Sequence, residues 1–145
     1  YGINVLFIPM HYPGDLVIIE NIISKMKNKG YAIRKKHSVS ETLGIISKTQ
    51  MLIGMRLHAL IFAASIGIPI VGIVYEPKVE GFLKYANQAS AGHVNSLEFD
   101  GMKKIVDKVW HNRETIKREL DVTTSQLKEK ALRNAHLAFE LIENS

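Results

Sequence analysis

Apolar residues along this chain fall alternately into short continuous runs and into stripes of helical period. The run Val5-Leu6-Phe7-Ile8, closed by Pro9, has the length and composition of a buried parallel strand. After a loop from Met10 to Gly14, the residues Leu16, Ile19, Ile22, Ile23 and Met26 recur at helical spacing. This predicts a helix capped by Asp15 and ended by Lys27, Lys29 and Gly30. A strand at 31–34 follows, then a helix opened by Ser40 with Glu41 and carrying Leu43, Ile45 and Ile46, then a strand at 51–54. Leu57, Leu60, Ile61 and Ala64 form the stripe of a helix that Gly67 ends. Next come a strand at 69–74, a loop at 75–78, a helix at 79–85 and a short last strand within 94–99. Ile105, Val106, Val109 and Trp110 mark one more helix. Leu127, Ala131, Ala135, Ala138 and Ile142 mark a long final one, within a helical segment at 113–145.

Strands alternating with helices in this way predict an α/β fold, a Rossmann-like parallel sheet with helices on both faces. The 145 residues match one compact domain, 1–145. In such a sheet, ligands bind beyond the carboxyl ends of the strands. That selects three loops: Met10–Gly14, Gly54–His58 and Tyr75–Lys78.

Composition narrows the chemistry. The chain has no cysteine, which removes disulfides, thiolate metal sites and cysteine nucleophiles. Its six histidines include no His-x-x-x-His pair, so no metal site is expected; His37, His93, His111 and His136 read as surface or core-edge residues. Nineteen Lys and Arg against fourteen Asp and Glu leave a formal charge of +5. Many of these cations stand beside acids, as in Lys117-Arg118-Glu119 and Lys128-Glu129-Lys130, and no aromatic-rich basic strand occurs. Nucleic acid is therefore not an expected partner. The longest apolar stretch, Leu57 to Tyr75, is interrupted by His58, Gly67 and Pro69, which argues against a membrane-spanning helix. No signal peptide is visible, and the expected location is the cytoplasm, with a peripheral place on the inner face of the membrane as the alternative. The chain opens at Tyr1 almost directly into a strand, as an excised piece of a longer protein would.

Arg56 stands out at the turn from a buried strand into a helix, where unpaired backbone N–H groups and the helix dipole favour an anion. Its guanidinium fork matches carboxylate and phosphate alike. His58, in the same first turn, can donate a hydrogen bond to phosphate or deliver a proton near neutral pH. Read from these residues alone, an equally weighted alternative has Arg56 paired with a neighbouring carboxylate and His58 as a satisfied histidine.

The surrounding string shifts that balance. Ile53-Gly54-Met55-Arg56-Leu57-His58-Ala59-Leu60-Ile61-Phe62-Ala63-Ala64 is followed by Gly67-Ile68-Pro69 and then by Gly72-Ile73-Val74-Tyr75-Glu76-Pro77-Lys78-Val79. This succession resembles the polysaccharide pyruvyl transferase family. Pro9 after the first strand and Asp15 opening the next helix fit it more loosely.

The resemblance implies the second half of a GT-B-like two-domain enzyme, with an N-terminal domain as the chain's partner. It implies transfer of the enolpyruvyl unit of phosphoenolpyruvate to two hydroxyls of a sugar in a cell-wall polymer or exopolysaccharide, giving a pyruvate ketal and phosphate. Phosphoenolpyruvate is then the donor substrate, and no further cofactor is implied. The expected donor site is Arg56, Leu57 and His58: Arg56 as countercharge, the Leu57 N–H in the phosphate cradle, and His58 as phosphate clamp or acid. Glu76, Lys78 and His11 are further candidates for the pocket, although Glu76 and Lys78 could instead pair with each other. An apolar face left on the final helix would make the isolated piece a homodimer. Two rival readings are a glycosyltransferase or sugar epimerase using a nucleotide-sugar donor, and a catalytically silent domain of the same fold.

Overall fold

The computed structural model describes residues 2–143. The chain is α/β, with open parallel sheets flanked by helices, and it divides into two compact units, Tyr1–Thr42 and Leu43–Ser145.

In the first unit, β1 (Val5–Phe7) and β2 (Gly30–Ala32) pair in parallel, Val5 opposite Gly30 and Phe7 opposite Ala32. They are joined by α1 (Gly14–Lys25). The first strand is not buried as its apolar run suggests, because Val5 and Leu6 are each 38% exposed. A two-stranded sheet leaves much of its surface uncovered. Of the α1 stripe only Ile19 is buried, while Ile22 is exposed together with Val17 and Ile18. The capping expectation for Asp15 also needs correction. The helix begins at Gly14, and Asp15, inside its first turn, reaches back so that its Oδ2 accepts the N–H groups of Met10 at 3.0 Å and His11 at 2.9 Å. Its carboxylate therefore ties the loop to the positive end of the helix.

The unit boundary falls inside α2 (Val39–Ile46). This helix is opened by Ser38 rather than Ser40. The Ser38 N–H donates to Glu41 Oε2 at 2.7 Å while the Glu41 N–H donates to Ser38 Oγ at 3.3 Å, a reciprocal capping box.

The second unit holds β3 (Leu52–Gly54), α3 (Leu57–Ser65), β4 (Ile70–Val74), α4 (Pro77–Tyr85), β5 (Ala89–His93), α5 (Phe99–His111) and α6 (Arg113–Glu143). Its parallel sheet has the order β3-β4-β5, with Leu52 opposite Ile70 and Gly54 opposite Gly72. The five strands thus pair as a two-stranded and a three-stranded sheet, not as one. Short apolar runs identify strands but carry no information about which strands become neighbours.

The core of this unit is Ile46, Leu60, Ile70, Val71, Val74, Val79, Leu83 and Leu120, all at most 2% exposed. β4 is buried along almost its whole length, as a central parallel strand should be. At Gly72 the Leu83 side chain of α4 presses directly on the strand backbone, leaving no space for a Cβ. The last strand lies at 89–93, not within 94–99; residues 94–96 form a single 3₁₀ turn. The Ala-Ser-Ala-Gly-His sequence has no apolar run, and its pairing with β4 makes it a strand. Helix α6 is continuous from Arg113, but among its described residues only Leu120 is buried. Residues 144 and 145 of the expected final segment lie outside the described residues.

Candidate functional site

The strand β3 stops at Gly54, and Arg56 is still extended at φ −73° and ψ 118°, immediately before the first helical residue, Leu57. Its carbonyl accepts from the Ala59 N–H at 3.0 Å and from the Leu60 N–H at 3.3 Å. The N–H groups of Leu57 and His58 therefore belong to the opening turn, which has no acceptors within the helix. Among the described residues no side chain caps this end, and α3 has no acidic residue in its first turn. The positive end of the helix dipole at such a start favours an anion.

Packing fixes the direction of that turn. Ala59, Leu60, Ala63 and Ala64 are buried, while Arg56 and His58 are exposed and Leu57 is half-buried. At the far end, the Gly67 N–H donates to the Ala64 carbonyl at 3.0 Å and the Ile68 N–H to the Ala63 carbonyl at 2.9 Å. This is a Schellman closure, with Gly67 at φ 73°. The His58 ring is tilted against Phe62, one turn further along, at a centroid distance of 6.3 Å.

The in-register pairing of β3 with β4 sends the loop after Val74 out over the same carboxyl edge as Arg56. Glu76 precedes α4, and Pro77 occupies the opening of that helix. The Tyr75 hydroxyl is held above its ordinary pKa, chiefly by a hydrogen bond with the Glu76 carboxylate, with some desolvation and the Glu76 charge adding to it. The positive charge of Arg56 opposes the shift. Arg56 is therefore within electrostatic reach of Tyr75, and a cation, a phenol and a carboxylate act on one another at this edge. Tyr75 was missed as an individual site residue. Its only signal in the sequence was its place in the Tyr-Glu-Pro-Lys loop.

Lys78 Nζ stands 3.9 Å from Glu76 Oε2, a loose pair between an exposed lysine and a half-buried carboxylate, so the alternative that these two residues pair with each other is realised in part. His11 belongs to the first unit, where its N–H bonds Asp15 and its ring lies against Gly14. Among the described residues no group of three or more His, Asp or Glu is placed to hold a metal. Among the described residues no helix is long and apolar enough to cross a membrane.

A family model described as polysaccharide pyruvyl transferase matches residues 1–77, more than half of the chain. The chain belongs to the polysaccharide pyruvyl transferase family. The matched segment takes in the Arg56-Leu57-His58 turn and the loop as far as Pro77, with Lys78 just outside it. No curated protein and no solved structure matches the chain.

Proposed function

We propose that this chain is the donor-binding part of a polysaccharide pyruvyl transferase, and that it takes phosphoenolpyruvate at the start of α3. The observation that carries this reading is the position of Arg56. It stands between β3, a strand whose Ile53 is exposed rather than buried as its apolar run suggests, and an uncapped helix start, inside the segment matched to the family, and its charge is felt by the facing loop.

In the proposed reaction a proton goes to the methylene carbon of the enol, making C2 electrophilic. One sugar hydroxyl adds to C2, the C2–O bond to phosphate breaks, and a second hydroxyl of the same sugar closes the ketal. Of the two hydroxyl protons released, one balances the new methyl group and the other leaves with phosphate. Arg56 offers a bidentate partner for the carboxylate or phosphate of the donor, and the Leu57 and His58 N–H groups offer the rest of the cradle. His58 serves as phosphate clamp or as acid. Tyr75 and Glu76 are assigned to the donor's other end because Tyr75 is within electrostatic reach of Arg56 and bonds the Glu76 carboxylate. The acceptor, a sugar of a cell-wall polymer or exopolysaccharide, and the base that receives its proton are assigned to a further domain. The reading requires no metal or cofactor besides the donor.

The test is turnover. Arg56→Lys in the full-length enzyme should fold normally but lose about 2–4 kcal/mol of transition-state stabilisation, because an ammonium cannot reproduce the fork. Phosphate release and ketal formation from phosphoenolpyruvate measure it. Near-normal turnover would remove Arg56 from the donor site.

A further inference from the structure

At the opposite edge of the second unit's sheet, before the amino ends of β3 and β4, is a small notch of about 130 Å³. Lys48, Thr49 and Gln50 line one side of it, and Arg113, Glu114 and Lys117 line the other. Its charge balance is one-sided, with three cations against the single carboxylate of Glu114. That carboxylate forms a loose ion pair with Arg113, Glu114 Oε1 standing 3.8 Å from Arg113 Nε, and two of the three cations remain unmatched. Lys48 and Lys117 make no ion pair among the described residues.

Arg113 is held rigidly for a surface residue. Its guanidinium stacks on the Trp110 ring at 4.6 Å, and its Nη1 donates to the Trp110 carbonyl at 2.8 Å. That is its only hydrogen bond among the described residues. Nε is buried without a hydrogen-bond partner, so Nη2 is the part of the fork left for a ligand. Arg113 and Lys117 also stand in the opening turns of α6, where the helix dipole is itself positive. Cations gathered there repel one another and the dipole, an arrangement that an oxyanion would relieve.

We infer that this notch is a second anion site, which takes a single phosphate group between Lys48, Arg113 and Lys117. Its volume falls well below the ~300–1,000 Å³ of pockets for drug-sized ligands, so it suits a phosphate group and is too small to enclose a whole nucleotide. The ligand is orthophosphate or the phosphate end of a small monoester. The inference does not depend on the reading at Arg56.

The test follows backbone amide shifts of the full chain as orthophosphate, and separately glycerol 3-phosphate, replaces chloride at constant ionic strength. Saturable shifts at Lys48–Gln50 and Glu114–Lys117 are expected. The double variant Lys48→Gln, Lys117→Gln should weaken this binding by about tenfold or more. These exposed substitutions spare the Arg113–Trp110 stack on which folding could depend. Arg56→Lys should leave the notch affinity within about twofold, even where it abolishes shifts at Leu57 and His58. Saturation by orthophosphate alone identifies the free ion as the ligand, and saturation by both admits the monoester. Shifts that do not saturate, or that survive the double variant unchanged, would overturn the inference.

Discussion

His58 is the second residue of α3, with an exposed ring tilted against Phe62. A side chain in an opening turn lies beside the free N–H groups and faces whatever anion they bind, which suits holding phosphate better than reaching a methylene carbon. If that is its role, His58→Gln in the full-length enzyme keeps a donor of similar reach. It should weaken phosphoenolpyruvate binding by about tenfold, ~1.4 kcal/mol, with kcat falling by less than about threefold. Steady-state kinetics across pH measures both quantities. Intact donor affinity with no turnover would make His58 the acid instead. At this scale the sequence exposed Arg56 and His58 because a cation and an imidazole flanking a strand-to-helix junction are unusual there. It did not expose Tyr75 as a partner, since the link between Tyr75 and Arg56 depends on the β3–β4 register. Asp15 was legible as a helix-start residue, but whether a carboxylate caps its own helix or holds the preceding loop depends on a two-residue shift of the start.

Two helix termini set the frame of the site and can be tested as elements. Gly67 closes α3 at positive φ, and a Cβ there would also collide with Asp121 Oδ1 of α6. Gly67→Ala should therefore cost at least the ~1–2 kcal/mol of a left-handed alanine, seen as a lower midpoint in chemical unfolding. An unchanged midpoint would contradict the closure described. The same closure recurs at the end of α4, where Asn87 takes positive φ and the Gln88 N–H reaches the Leu83 carbonyl at 2.8 Å. At the start of α2, the Ser38 N–H and hydroxyl hold the Glu41 carboxyl below its ordinary pKa, with His37 adding a little. A lowered folded-state pKa means stability that is present above the unfolded glutamate value and lost as pH falls through the folded one. The stability advantage of the wild type over Glu41→Ala should therefore be clear near pH 7 and fade in acid, as thermal unfolding across pH can measure. An advantage that grew in acid would have the wrong sign. Most elements were legible because their apolar residues fall at helical period or in short continuous runs. β5 was not, since Ser90, Gly92 and His93 carry no strand pattern and take their conformation from β4.

For the whole molecule, the α/β class followed from alternation alone, whereas the division of the strands into two sheets did not. Strand order is decided by packing between elements distant in sequence, to which period is blind. The long final helix starts at Arg113, the first residue of the helical segment read at 113–145, although its apolar marks in the sequence begin only at Leu127. Leu132, Phe139, Leu141 and Ile142 remain exposed along it. The net charge of +5 leaves cations in excess of carboxylates, and the two proposed anion sites use Arg56 at one edge of the second unit's sheet and Lys48, Arg113 and Lys117 at the other. The central claim is that the turn at Arg56 takes phosphoenolpyruvate, and calorimetric titration of the full-length protein tests it most directly. Saturable binding of phosphoenolpyruvate, weakened about tenfold or more by Arg56→Lys, is expected, with no comparable binding of uridine diphosphate. Tight binding of uridine diphosphate, or phosphoenolpyruvate binding that Arg56→Lys leaves unchanged, would contradict it.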